Sequence, residues 1–377
     1  MAEWFTATAV GPALQLRWSL TAGQMSLLTT MVQLGFVAGT LVAAALNLAD
    51  VLPIRAYFAG ASIMAALANA GLLVVDGFVA GAALRFLTGF ALAGGYPPAM
   101  KMCATWFMRS RGLAIGTVVG ALTVGKAAPY LIKAVGGAGE AAVILGASVG
   151  GVLGGLLVLL LYRDGPFGFE RRPFAWGRLA EVIRDRPTRL ATLGYVGHMW
   201  ELYAMWTLAP AFVAATFAAR GWSGADAVSF GVIAVGGLGA VVFGVGVALL
   251  LAGRWAGRWG RSRIATLSMV VSGACATGAG FLGGAPMVVF VGVILVWGFA
   301  VVADSAQFSA LVTEVAPSHV VGTALTFQTM VGFAVTAVAI EVATRVASAA
   351  GWGPAFLLLA VGPAFGIAAM LRFDRIR

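Results

Sequence analysis

The sequence predicts an all-α polytopic membrane protein, with about 11–12 transmembrane helices arranged as two bundles of six. Three observations carry this expectation: a shortage of charge, long apolar runs, and a single polar stretch near the middle of the chain. Of 377 residues, 61% are hydrophobic and 10% are charged, and the mean hydropathy is +0.96. A soluble domain covers itself with about 25% charged residues, and size fixes the surface-to-volume ratio whatever the fold. The outer surface must therefore face lipid.

The apolar runs settle the type of element. Gly146 to Leu161, Val228 to Ala252 and Val320 to Ala343 approach or exceed the roughly 20 residues that carry a helix across hydrocarbon. Membrane barrel strands would alternate apolar and polar residues over about 10 positions, and no such alternation is present. The first apolar piece, Trp4 to Leu16, supplies only about half a crossing. The expectation is a late start or a truncated chain, the alternative being an unusually short leading helix. Eleven full crossings follow, near 22–48, 54–75, 77–107, 110–133, 140–162, 190–216, 226–252, 263–283, 286–313, 320–347 and 353–372. With the leading piece counted first, these are segments two to twelve. The opening Met1-Ala2-Glu3 carries no basic region, so no cleavable signal peptide is expected.

The polar stretch 163–189 divides the chain into an N-terminal bundle at 1–162 and a C-terminal bundle at 190–377. It is basic, with a possible amphipathic turn at Trp176 to Arg184, as expected of a segment lying along an anionic leaflet. Net charge is +10, and all but three of the 24 basic residues are arginine. In a soluble protein this balance would suggest nucleic acid. Here 17 of the basic residues fall in loops on the side of the 163–189 linker and 4 on the other, a bias that places the linker and the C-terminus in the cytoplasm. The expected location is the plasma or inner membrane, with the chain working as a monomer and no nucleic acid as partner. Cys103 and Cys275 fall in or beside apolar runs, so neither a disulfide nor a metal site is expected.

Two short loops occupy matching places after the second crossing of each half. The first holds Asp50 and Arg55; the second runs Gly253-Arg254-Trp255-Ala256-Gly257-Arg258-Trp259-Gly260-Arg261. Arg85-Phe86-Leu87-Thr88-Gly89 lies in the fourth segment, and Trp106-Phe107 leads through Gly112 into the fifth. In these features the chain resembles the major facilitator superfamily, whose signatures include a Gly-x-x-x-Asp-Arg-x-Gly-Arg-type loop and an Arg-x-x-x-Gly helix. Each loop is degenerate in a complementary way: the first lacks the glycines and the second lacks the acid. The resemblance implies twelve helices, a central cavity lined by segments one, four, seven and ten, alternating access, and gating by Asp50, Arg55, Arg254, Arg258 and Arg261. Gly125-Lys126-Ala127-Ala128-Pro129 stands in the fifth segment, where many drug antiporters carry a Gly-Pro pair.

The polar residues within these segments nominate the chemistry. An intramembrane arginine such as Arg85 faces the bundle interior by default. Gly94-Gly95-Tyr96-Pro97-Pro98 breaks the helix beside it. Arg85, Tyr96, Lys126, His198, Trp206, Trp297 and Gln307 are the candidate substrate-binding residues, with Lys126 the best cation for an anionic substrate. Removing a carboxylate from water favours its protonated form, so Glu201 and then Asp304 are candidate proton carriers. His198 and Glu201 stand three apart on one helix face, where they could pair. Alternatively, Glu201 and Asp304 serve only to neutralise Arg85 or Lys126. Glycine spacings Gly35/Gly39, Gly116/Gly120 and Gly150/Gly154 are expected to let helices approach closely. Nothing suggests a cofactor: no phosphate loop occurs, and two histidines and two cysteines give no metal cluster or nucleophile–base arrangement. The expected activity is transport of a small organic or inorganic anion, coupled to protons. Export of amphipathic compounds is the nearest alternative, and a non-transporting receptor or assembly factor on the same scaffold comes from another class.

Overall fold

In the computed structural model the described residues are 1–107, 111–136, 139–167, 175–252 and 260–376; within some helices only the backbone is described. Among them, ten helices are long and apolar enough to cross a membrane. The ninth segment, Arg261–Ala279, has 19 residues and is not among them: it buries Ser262, Ser268 and Ser272 alongside Ile264, Ala265, Met269, Ala276 and Ala279. Arg254 and Arg258 lie outside the described residues, and for Asp50 only the backbone is described.

Local chemistry sets the helix ends. The second segment, Ala22–Ala45, opens on a capping box between Thr21 and Gln24, which satisfies two otherwise orphaned amide donors. Asp185 caps the seventh, Arg186–Arg220, by accepting from the Thr188 amide at 3.0 Å. Gly221 ends that helix in the left-handed conformation, at φ 63°, which glycine adopts without steric cost. The seventh segment is thus 35 residues long, extending at both ends beyond the apolar run that predicts it.

The first segment is a chain of short turns at Ala2–Phe5, Thr6–Ala9 and Gly11–Trp18. Trp4 and Phe5 are buried in the middle of the molecule. Two other segments are interrupted. The fourth runs Phe78–Leu92, then a turn, then Tyr96–Trp106; Pro97 and Pro98 remove the amides that would continue the ladder. The tenth runs Met287–Ala303 and resumes at Ser305–Val315. The pivot is Asp304, a break the sequence does not signal with proline or glycine.

Packing repeats in the two halves. The second segment packs on the fourth and the third on the sixth, as the eighth does on the tenth and the ninth on the twelfth. The matching contacts use glycine at matching places. A Cβ on Gly89 would lie 2.0 Å from the Val32 carbonyl oxygen, and one on Gly298 would lie 2.0 Å from that of Val232. Either substitution would collide with backbone, so these helices touch only because a side chain is missing. Gly35 and Gly39 likewise meet the backbone of Phe86 and Phe90, whereas Gly150 and Gly154 face open space and serve no close contact. Between halves, the fifth segment, Arg111–Gly136, packs along the eighth, Ala225–Ala252, and the second packs along the eleventh, Val321–Ala350. A two-fold exchange of the halves turns one of these interfaces into the other.

Candidate functional site

Lys126 lies at the junction of the halves and is 1% exposed. Its Nζ sits 4.4 Å from the ring centre of Trp4, 4.3 Å from Tyr203 and 5.0 Å from Trp206, and donates to the Tyr203 hydroxyl. Among the described residues, no carboxylate stands within ion-pairing distance of it. The electron-rich ring faces take the place of a counter-ion. The box continues outward: Trp4 packs 5.1 Å from Phe36 and 5.8 Å from Phe333, and these two phenyl rings lie 4.4 Å apart. Trp4, Phe36 and Lys126 belong to the N-terminal half, Tyr203, Trp206 and Phe333 to the C-terminal half. A group bound here would touch residues of both halves.

Arg85 is equally buried but differently engaged. Its Nη1 donates to the Glu3 carbonyl at 2.8 Å and to Asn69 Oδ1 at 3.1 Å, and its Nη2 donates to the Trp4 carbonyl. Asn69 passes the network on to Ser148 Oγ at 3.0 Å. The guanidinium therefore holds the first segment in place through its backbone, and so positions the Trp4 ring over Lys126.

The acids form a second cluster inside the C-terminal half. Glu201 accepts from Trp297 Nε1 at 2.7 Å and from Ser272 Oγ at 2.8 Å. His198 Nδ1 lies 2.9 Å from Asp304 Oδ1, and His198 Nε2 lies 2.9 Å from Ser305 Oγ. The Asp304 contact is close enough for an ion pair yet off the alignment of a hydrogen bond, so that Oδ1 lacks a hydrogen-bond donor. All three titratable groups are 2% exposed or less. His198 and Glu201 do not pair with each other; each turns to a different neighbour. Among the described residues, neither acid stands within ion-pairing distance of Arg85 or Lys126; Glu201 and Tyr203, two residues apart, point about 200° apart around the helix.

The remaining nominated residues are distributed around these two centres. Trp206 belongs to the box. Trp297 is wholly buried, with its nitrogen on Glu201 and its ring 5.0 Å from Phe356. Tyr96 is half-buried and begins the second part of the interrupted fourth segment. Gln307 is buried and accepts from Arg261 Nη1 at 3.4 Å, while Arg261 also pairs with Glu314 at 2.5 Å. Arg55 is exposed in the first turn of the third segment, Ile54–Ala70. The residues sequence reasoning passed over are Trp4, Phe36 and Phe333. Nothing separates them, in a list of 23 phenylalanines and 11 tryptophans, from ordinary packing residues.

At the end away from the linker the halves are joined again. Ser26 Oγ donates to Glu341 at 3.2 Å, and Glu341 pairs with Arg345 at 2.7 Å. Lys133 pairs with Asp226 at 3.1 Å across the fifth and eighth segments. Glu140 pairs with Arg17 at 2.7 Å. Asp226 and Glu140, both in the first turns of their helices, are thus tied to cations.

A search of the curated proteins returned no match. The family model of the Major Facilitator Superfamily matches residues 1–340. The match covers most of the chain, whose long apolar helices suit it, and the chain belongs to that superfamily of secondary transporters.

Proposed function

We propose that the chain carries a small anion across the plasma or inner membrane by alternating access, and that a proton moves with it. The observation that supports this most is Lys126: a buried ammonium at the meeting of the halves, held by ring faces with no acid beside it. An anion is the natural occupant, since it supplies the charge the site lacks. The proton has a separate station in the His198–Asp304 pair and Glu201. Its contacts run to the seventh, ninth and tenth segments, and it includes the pivot of the interrupted tenth. Discontinuous helices at the midplane are where carriers of this kind place their binding and coupling groups. The ties Ser26–Glu341 and Lys133–Asp226 close the far end in this reading, while the linker side, taken as cytoplasmic, is the side to which the site opens next.

The test is uptake into proteoliposomes over a panel of anions, with and without an imposed pH gradient. Uptake of at least one anion should follow the gradient, fail in Lys126→Ala, and lose its pH drive in Glu201→Gln. Uptake indifferent to both the gradient and Lys126→Ala would overturn the proposal. Export of amphipathic compounds draws support from the rings alone. A raised resistance across a susceptibility panel in cells, with no anion moved, would favour it.

A further inference from the structure

We infer that the occupant of the Lys126 box is an organic monocarboxylate with an apolar, preferably flat, body, and not an inorganic oxyanion or a dicarboxylate. This rests on the anion-carrier reading and narrows it. The charge count comes first. Lys126 is the one cation whose ammonium the box surrounds, since the terminal nitrogens of Arg85 are taken up by the Glu3 and Trp4 carbonyls and by Asn69. One positive charge balances one negative charge; a second would stand uncompensated in a low-dielectric site.

The polar atoms left over come next. Trp4 Nε1 and Trp206 Nε1, on two of the three rings over Lys126, are buried with no hydrogen-bond partner. Gln33, fully buried one turn before Phe36 on the same face, leaves both amide atoms without one. Buried donors without partners are rare in native proteins and call for an explanation. An occupant that accepts hydrogen bonds would satisfy such donors, as the two oxygens of a carboxylate do.

The walls exclude the alternatives. An inorganic oxyanion presents charge in every direction, but most of this box is aromatic face, whose negative potential repels anions. The same faces favour hydrocarbon, above all a flat ring that can lie against Phe36 and Phe333. The substrate therefore carries charge at one end only.

The experiment uses the purified full-length chain in lipid nanodiscs and reads the thermal unfolding midpoint against ligand concentration. The probes are benzoate, its neutral counterpart benzyl alcohol, the dianion phthalate, and sulfate. Benzoate should raise the midpoint with a half-saturating concentration about 10-fold or more below those of phthalate and sulfate, and benzyl alcohol should leave it unchanged. Lys126→Met should remove the benzoate effect. Trp206→Phe, which keeps a ring and loses the N–H, should weaken benzoate by about 3- to 10-fold. Both variants must show an unliganded midpoint near that of the parent; Trp206→His and Lys126→Gln replace any that do not. Sulfate or phthalate binding as well as benzoate, in a chain whose anion uptake still needs Lys126, overturns this inference and leaves the carrier reading standing. Stabilisation by benzyl alcohol equal to that by benzoate overturns it too. Failure of every anion in both binding and uptake takes down both readings.

Discussion

Replacing Lys126 by methionine separates a binding lysine from a structural one. The side chains are similar in length, so the exchange removes the ammonium and little volume. In the folded protein the ammonium gains contacts with three rings at 4.3–5.0 Å and a hydrogen bond to Tyr203. Such ring contacts reach about 2 kcal/mol when desolvated, and a hydrogen bond from a charged donor adds about 1.5–3 kcal/mol. Against this stands a desolvation cost of several kcal/mol for an ion buried without a counter-ion. The terms nearly cancel, so Lys126→Met should leave stability within about 1–2 kcal/mol of the parent. Anion binding has no such compensation. Losing one charge-assisted contact of about 1.5–3 kcal/mol weakens half-saturation by roughly 10- to 100-fold. The assay is exchange of labelled anions in proteoliposomes, paired with thermal unfolding of the same preparation. Exchange within twofold of the parent, or a loss of exchange matched by a collapse of the unfolding midpoint, would refute the reasoning.

Other expectations follow from the same structure. Arg85→Met strips the Glu3 and Trp4 carbonyls of their donors and should destabilise the chain by about 3–5 kcal/mol, read as a lowered unfolding midpoint, with Arg85→Lys intermediate. Gly89→Leu and Gly298→Leu should each block the packing of paired helices, giving little folded protein on size-exclusion chromatography; normal yield from either would count against the repeat. Lys133→Ala combined with Glu341→Gln should loosen the far end, so that a cysteine introduced at Thr30 reacts faster with a membrane-impermeant maleimide added from that side. Glu201→Gln should keep anion exchange while losing uptake driven by a pH gradient, measured in the same vesicles.

The membrane fold was legible because it rests on sums. Scarce charge and long apolar runs survive any local error, and the linker stands out as the only polar stretch of comparable length. The chemistry was legible in part. Arg85, Lys126, Glu201 and Asp304 are conspicuous because charge inside a membrane is expensive, and a single sequence marks them plainly. What they touch was not legible. His198 and Glu201 share a face in a helical projection, yet their partners come from segments nine and ten, about 70 to 110 residues away. Trp4 looked like part of an incomplete helix, and only the three-dimensional fold brings it over Lys126. The break at Asp304 was silent for a related reason: it has no helix-breaking residue, and tertiary contacts at His198 and Ser305 sustain it.

The long seventh segment has a mechanical consequence. It runs for 35 residues with Pro210 inside it, about 52 Å at the helical rise, from its Asp185 cap beside the linker to Gly221 at the far end, and Glu201 and Tyr203 both lie on the stretch before that proline. Tyr203 on one side of this shaft touches the lysine, and Glu201 on the other belongs to the proposed proton station. A rigid shaft cannot roll by a few degrees at one side only. Any roll or tilt that draws the phenol toward an arriving anion must at the same moment shift the carboxylate against Trp297 and Ser272. In the proposed cycle, loading and protonation then share a single moving part, and no relay of side chains is needed to carry news from one to the other.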